Sequence, residues 1–507
     1  MQLTSWSWLF LVVYVGAMIA FGVIASRRIK GADDFAVARR GYGPFILALA
    51  FASTAASGAT FLGVPGLSYS YGMSIIWLAF LYPMGIYLGV LICQRTIARE
   101  GNEAGSRSIP EYLGERYNSE ALRLSAAIFS LMLLFYLAGQ LVGGLVMFEI
   151  MLGMPQHIAL LVTTVVLLGY VTVGGAHADI LTDGAQGFLM VILALAIIVL
   201  FLLGVGAGGF DALLANLKAQ DGQLLQWFNP EVPITASPWS MFALVIAHIP
   251  LGLLPHIGNK IWALKDESSR NRFLVMALTF GLILPGIALG GLTARAVVGG
   301  ELLGDGANTA LPAMFIALFP TWLAALLGVG VLAAVMSTAD GLVISTSQVF
   351  ANDIYRRSIA PRRHPHLSEE ELDRNVLKIS RIVTALVLVG SAVLAWSVID
   401  MNIVLLIWSG VGGFTAALAG PLVLGSIWNG VSRNGALWGF WTGAITFVLI
   451  YTEIISAMWP AGESLRAAGE WFALHAKSPY SAATMGAIAG VLVTTAISLR
   501  DGRQHDS

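Results

Sequence analysis

The sequence is divided into apolar runs of about 20 residues, the length a helix needs to cross the hydrocarbon core of a bilayer. Thirteen can be placed, at 5–26, 44–71, 74–94, 122–152, 156–178, 182–205, 239–262, 273–297, 321–349, 379–398, 402–426, 435–459 and 481–499. The bilayer core holds no water for backbone N–H and C=O groups, so only helices and closed barrels can span it. Runs of this length are helical. Charged residues make up only 11% of the chain, against about 25% in soluble domains. The expected fold is an all-α polytopic membrane protein, a single transmembrane unit over 1–507 with no stretch long enough for a separate soluble domain.

Charge and cysteine content narrow the function. A net charge of −1 leaves no basic surface for nucleic acid, and no obligate protein partner is evident, so the expected partners are a small-molecule solute and membrane lipid. The one cysteine, Cys93, excludes an intrachain disulfide or a Cys-based metal site. The first run ends in Arg27-Arg28 without a small-residue cleavage pattern and is kept as a span. An odd number of spans puts the termini on opposite sides. With the C-terminus cytoplasmic, all lysines and arginines but Lys218, Arg295, Arg466 and Lys477 fall inside, so positive-inside asymmetry predicts a plasma-membrane protein with its N-terminus outside. Segments 206–238 and 460–480 read as amphipathic surface helices and 298–320 as a surface or re-entrant helix. Loop 351–378 reads as a basic patch, with His364 and His366 in solvent, followed by a Ser-capped helix start.

Four membrane segments carry polar residues that an anchor would omit. The run from Gly43 to Gly72 has Ser53, Thr54, Ser57, Gly58 and Thr60, then Gly63, Pro65 and Gly66. It reads as a broken helix lining a cavity, because non-helical backbone at membrane depth is tolerated only there or when buried in protein. In the ninth span Ala334, Ser337, Thr338 and Gly341 share one helical face, an oxygen-rich notch suited to a hard monovalent cation, with Asp340 beside it. Around the turn between spans five and six, Thr182 and Asp183 are either an N-cap or a polar site, with His177 and Asp179 in the turn. The seventh span is broken by Pro250, Gly252, Pro255 and Gly258 around His248, with His256 at its end. Gln140 and Tyr136 in span four, and Trp408 and Ser409 in span eleven, are further cavity candidates. Breaks in corresponding spans of two halves point to a secondary-transporter binding site. Spans two and seven lie five apart with opposite orientation, so 43–205 and 239–426 read as a five-plus-five inverted repeat, with the first span and 435–499 peripheral. No nucleophile or His/Asp/Glu cluster at bilayer depth suggests an enzyme.

Four motifs, in this order, carry a resemblance over nearly the whole chain: SGATFLGVPGLSYSYG, GGAHADILTDGAQG, LPHIGNKIWALKDESS and AAVMSTADGLVISTSQVFANDIYRR. The chain resembles the sodium/solute symporter family, in the branch nearest pantothenate and short-monocarboxylate carriers. That resemblance implies a leucine-transporter-like fold and sodium-coupled symport of a small organic solute by alternating access, with Na+ as coupling ion. It implies a sodium site of the Ser53 and Ala56 carbonyls, the Ala334 carbonyl, and the Ser337 and Thr338 hydroxyls. Asp183 and Asp340 are a possible second cation or proton site; members with a second sodium carry hydroxyls where this chain has Asp340 and Gly341. Some members have an aspartate at Ala55. Solute candidates are Thr54, Ser57, Gly58, Thr60, Gln140, His248 and Trp408. No lysine or arginine is expected at membrane depth as a counter-charge, which leaves that role to sodium. Proton coupling, an amino-acid or sugar substrate, and a nutrient sensor on the same fold are the alternatives.

Overall fold

The computed structural model describes residues 2–28, 32–304, 306–459 and 465–505. All thirteen stretches are helical, and among the described residues an isolated bridge between Tyr42 and Leu264 is the sole β pairing. Among the described residues, nine helices are long and apolar enough to cross a membrane, ten if the bent pair Pro238–Leu253 and Pro255–Ala263 is one span. The number falls below thirteen because breaks shorten some runs, the second and third are joined, and the unbroken helix Arg433–Tyr451 is not apolar enough by the same measure. Pro44–Ala55 is a short helix, and Ala59–Ala104 carries the outer half of the second span into the third around Gly72.

Proline chemistry sets the second break. Leu254 is extended (φ −60°, ψ 151°) directly before Pro255, as expected where the proline ring disfavours helical backbone in the preceding residue. The seventh span bends by 57° there. The first break falls at Ala56 (φ −93°, ψ 78°), after which Ala59–Gly63 forms a π-helical turn leading into Val64–Tyr71. The two broken spans meet at one end. Tyr42 N–H donates to Ala263 O at 3.0 Å, and Lys265 N–H donates to Tyr42 O at 2.9 Å.

Several expectations change with the fold. Spans five and six are two helices joined at Gly175, whose non-helical backbone (φ 52°, ψ −156°) breaks the stretch Gln156–Leu203, a conformation open to glycine because it lacks a Cβ. Thr182 and Asp183 are therefore inside a helix and not its N-cap; the Thr182 hydroxyl donates back to Ala178 O at 2.8 Å. His177 and Asp179 are helical too. The first half of loop 351–378 continues the ninth span as a π-helix, Val349–Ile359. The expected capping box is present, Ser368 with Glu371, and the Ser368 N–H and hydroxyl hold the Glu371 carboxyl below the usual carboxylate range. Helices Phe210–Gln220 and Arg466–Ala476 occupy segments 206–238 and 460–480, and in segment 298–320 the helix Ala310–Leu318 buries Leu311, Met314 and Phe315 while exposing Ile316. The first span is not merely peripheral, since its Tyr14 hydroxyl accepts a hydrogen bond from Gln186 Nε2 at 2.5 Å.

Close backbone crossings hold the broken spans in place. A Cβ on Gly291, in the eighth span, would lie 2.0 Å from the Pro65 carbonyl oxygen. Backbone cannot move aside as a side-chain tip can. Gly291→Val should therefore destabilise the fold, at the overpacking scale of about 1–3 kcal/mol, and lower the unfolding temperature in detergent. Gly22→Ala, where nothing lies within 4 Å, should leave it unchanged.

Candidate functional site

A helix break inside a membrane frees backbone groups that must find partners. Here side chains from three other spans, and one from the broken span itself, supply them. The Gly58 N–H donates to Gln140 Oε1 at 2.9 Å, and the Ala59 N–H to Ser57 Oγ at 3.2 Å. The Gly63 carbonyl accepts from Asn402 Nδ2 at 3.1 Å. On the other side, the Ser337 hydroxyl lies 3.3 Å from the Ser53 carbonyl and 3.2 Å from the Ala334 carbonyl, and the Thr338 hydroxyl donates to the Thr54 carbonyl at 3.0 Å. Ser53, Ala334, Ser337 and Thr338 are thus gathered in one buried notch, with Ala56 at the hinge beside it. Asp340 is buried further along the same helix.

The solute candidates divide in two. Ser57, Thr60, His248 and Trp408 line a narrow central cavity. Thr54, Gly58 and Gln140 stand behind its wall: the Thr54 hydroxyl faces Asp183 Oδ2 at 2.6 Å, and Gly58 and Gln140 are bonded to each other. Tyr136 lines the cavity, whereas the Ser409 hydroxyl bonds back to Leu406 O at 2.6 Å. His248 Nδ1 lies 2.6 Å from the Leu244 carbonyl, which only accepts, so that nitrogen carries the hydrogen. The His248 ring packs 4.5 Å from Trp408 and 5.3 Å from Tyr480, centroid to centroid. Tyr82, its hydroxyl 3.1 Å from that of Thr60, completes an aromatic box.

Sequence reasoning missed Tyr82 and Tyr480. Tyr82 sits beside Pro83 in an apolar run and reads as packing. Tyr480 opens the thirteenth span, expected to be peripheral, yet that helix brings its first turn to the cavity.

Lys260 is the larger correction. Counted among the inside-loop cations, it is buried within the protein, 3% exposed, on the short helical segment after the second break. Its ammonium lies 2.5 Å from Asp183 Oδ2, 2.8 Å from Asp179 Oδ2 and 2.8 Å from Thr54 Oγ1. The sequence places Lys260 in an inside loop and expects no lysine or arginine at membrane depth; after the 57° bend Lys260 is instead buried inside the protein against Asp179 and Asp183. Asp183 accordingly has a counter-charge within the chain.

Known proteins fit this arrangement. The model of the sodium:solute symporter family matches residues 35–443. The chain belongs to that family. A sodium/pantothenate symporter of Haemophilus influenzae is 26% identical over 449 residues, covering 87% of this chain and 89% of the relative. A sodium/proline symporter of Escherichia coli is 28% identical over 455 residues, covering 86% of each. The solved structure of a Na+-coupled sialic acid symporter in a substrate-bound outward-open state superposes with a TM-score of 0.74 at 20% identity, over 97% of both chains. The fold is thus leucine-transporter-like, the protein is a sodium-coupled symporter of a small solute, and Na+ is its coupling ion.

Gln140 shows what the break requires. Gln140→Met would strand the buried Gly58 N–H, at about 1–3 kcal/mol for an unsatisfied donor, and should lower the unfolding temperature. Gln140→Glu keeps an acceptor in place and should recover most of the loss.

Proposed function

We propose that the chain imports a small organic anion, a short monocarboxylate or a pantothenate-like acid, with sodium held between the second and ninth spans. The observation that carries the ion site is the pairing of Ser337 and Thr338 with the carbonyls of Ser53 and Thr54 across the break. Two hydroxyls and freed carbonyls form an uncharged, hard oxygen set that suits a monovalent ion. On binding, sodium would draw on the Ser53, Ala56 and Ala334 carbonyls and the Ser337 and Thr338 hydroxyls, replacing the direct bonds that now close the notch.

The ion's binding energy then goes into ordering the break, which shapes the wall of the solute cavity. Ser57 and Thr60 offer hydroxyls to the solute, and Tyr82, Tyr136, His248, Trp408 and Tyr480 enclose its apolar part. No cation lines that cavity, so sodium, one turn of backbone away, is the counter-charge for a carboxylate. The pantothenate carriers among the relatives support an anionic solute. Segments 43–205 and 239–426 act as the two inverted repeats: with sodium bound, the outward-open form is favoured, and rocking of the bundle about the second and seventh spans then opens the inner side.

Uptake into proteoliposomes tests this reading. Pantothenate, short monocarboxylates and proline are offered under a sodium gradient, a proton gradient or neither. Accumulation of a carboxylate driven by sodium alone is expected, and Thr338→Val should raise the half-saturating sodium concentration at least tenfold, whereas Thr338→Ser, which keeps the hydroxyl, should recover most of the loss. Uptake that follows the proton gradient and ignores sodium would overturn the ion site, and uptake of proline alone would overturn the solute class.

Orientation follows from the charge asymmetry, with the N-terminus outside and the C-terminus in the cytoplasm. Cys93 is fully buried, so the wild-type chain provides a quiet background for a membrane-impermeant maleimide. Gln220→Cys should react from outside in intact cells, and His366→Cys should react only after permeabilisation.

A further inference from the structure

The central cavity offers a solute several hydroxyls, each able to donate or accept, and one ring nitrogen that can only accept. His248 gives its Nδ1 hydrogen to the Leu244 carbonyl at 2.6 Å, which leaves Nε2 with a lone pair and no hydrogen. The Tyr480 hydroxyl belongs to the same cavity wall. Among the described residues no protein group bonds His248 Nε2 or the Tyr480 hydroxyl, although the two side chains are only 2% and 1% exposed. Their rings stack with centroids 5.3 Å apart, and Trp408 packs 4.5 Å from each. Thr484, one turn beyond Tyr480, donates to the Ala243 carbonyl at 3.0 Å and fixes the last span against the helix that ends in His248.

A bare acceptor beside an unused donor, enclosed by aromatic rings, matches a neutral hydroxyl. A hydroxyl gives its hydrogen to Nε2 and takes one from Tyr480 on its own oxygen. An ammonium donates but cannot accept, and no aspartate or glutamate lines the cavity to balance its charge. A carboxylate only accepts and meets another lone pair at Nε2. A methyl group leaves both polar atoms unpaired, which is how a site built around a hydroxyl rejects the analogue that lacks it. We propose that His248 and Tyr480 form a hydroxyl subsite, so that the solute is a hydroxycarboxylate with its carboxylate at Ser57 and Thr60 and its hydroxyl between the two rings. The proposal rests on the reading of the solute as a carboxylate bound in this cavity. Selection among carboxylates then comes in part from the last span, outside the two repeats.

Isothermal titration of the purified full-length protein in sodium buffer tests the inference with acids that differ by one hydroxyl. One set is propionate, both enantiomers of lactate and 3-hydroxypropionate; the other is pantothenate and its monodeoxy analogues. In whichever set binds, a hydroxy acid should bind at least tenfold more tightly than its deoxy counterpart. His248→Phe, which keeps an aromatic ring, should abolish that difference, and His248→Gln, which keeps an acceptor, should retain part of it. Tyr480→Phe should narrow it about fivefold, as expected for one lost hydrogen bond. Should His248→Phe fail to fold, His248→Leu takes its place, and Tyr480→Phe gives an independent measurement. Equal binding of hydroxy and deoxy acids by the wild-type protein, or a full preference surviving in folded His248→Phe and Tyr480→Phe, would overturn the hydroxyl subsite alone. Failure of the underlying reading has a different signature: no acid of either set would bind in sodium, and the subsite would fall with it.

Discussion

Everything in this structure follows from the need to satisfy backbone freed by a helix break at membrane depth. An intact helix satisfies its own N–H and C=O groups; at Ala56 that ladder stops, and no water is at hand to replace it. Gln140, Asn402, Ser337 and Thr338 take over, each from a different distance along the chain. On the proposed reading, the side chains that repair the break also set where sodium enters, and a cation among the same carbonyls and hydroxyls would substitute for the hydrogen bonds that close the notch. The break is tolerated because it is buried in protein, and that burial is also what makes it useful.

The charge balance follows the same logic. Asp179, Asp183 and Lys260 are all nearly or fully inaccessible, where a lone charge is far more costly than at a surface. Bringing them together sets one ammonium against two carboxylates, so that part of the buried negative charge is compensated within the chain. The residues lining the central cavity include no lysine, arginine, aspartate or glutamate. The bridge at Tyr42 and Leu264 ties the start of the second span to the end of the seventh, so the two breaks are linked through backbone as well as through Lys260 and Thr54.

Much of this was legible in sequence. Spans reveal themselves by length and hydropathy, and breaks by Gly63, Pro65, Gly66, Pro250 and Pro255, because those residues act locally on φ and ψ. The Ser337–Thr338 face was legible from helical periodicity alone. Lys260 was not: near a span end, a lysine pointing to cytoplasm and one folded inward have the same sequence, and only the bend at Leu254 separates them. Tyr480 was missed because its span lies far along the chain from the cavity it lines, and nothing local marks an aromatic residue as cavity-facing. Thr54 reads as a solute candidate beside Ser57 and Thr60, but the rotation of the helix just before the break turns it away from the cavity those two line.

The sequence by itself determined that this chain spans the membrane many times as helices, that two of those helices are interrupted, and which hydroxyls lie on one face, since all three depend on residue type and spacing. Tertiary structure alone decided which groups meet: that Thr338 reaches Thr54, that Lys260 turns to two aspartates, and that the last span brings Tyr480 to the centre. Those contacts join residues up to hundreds of positions apart, through helix crossings and bends that no local pattern encodes.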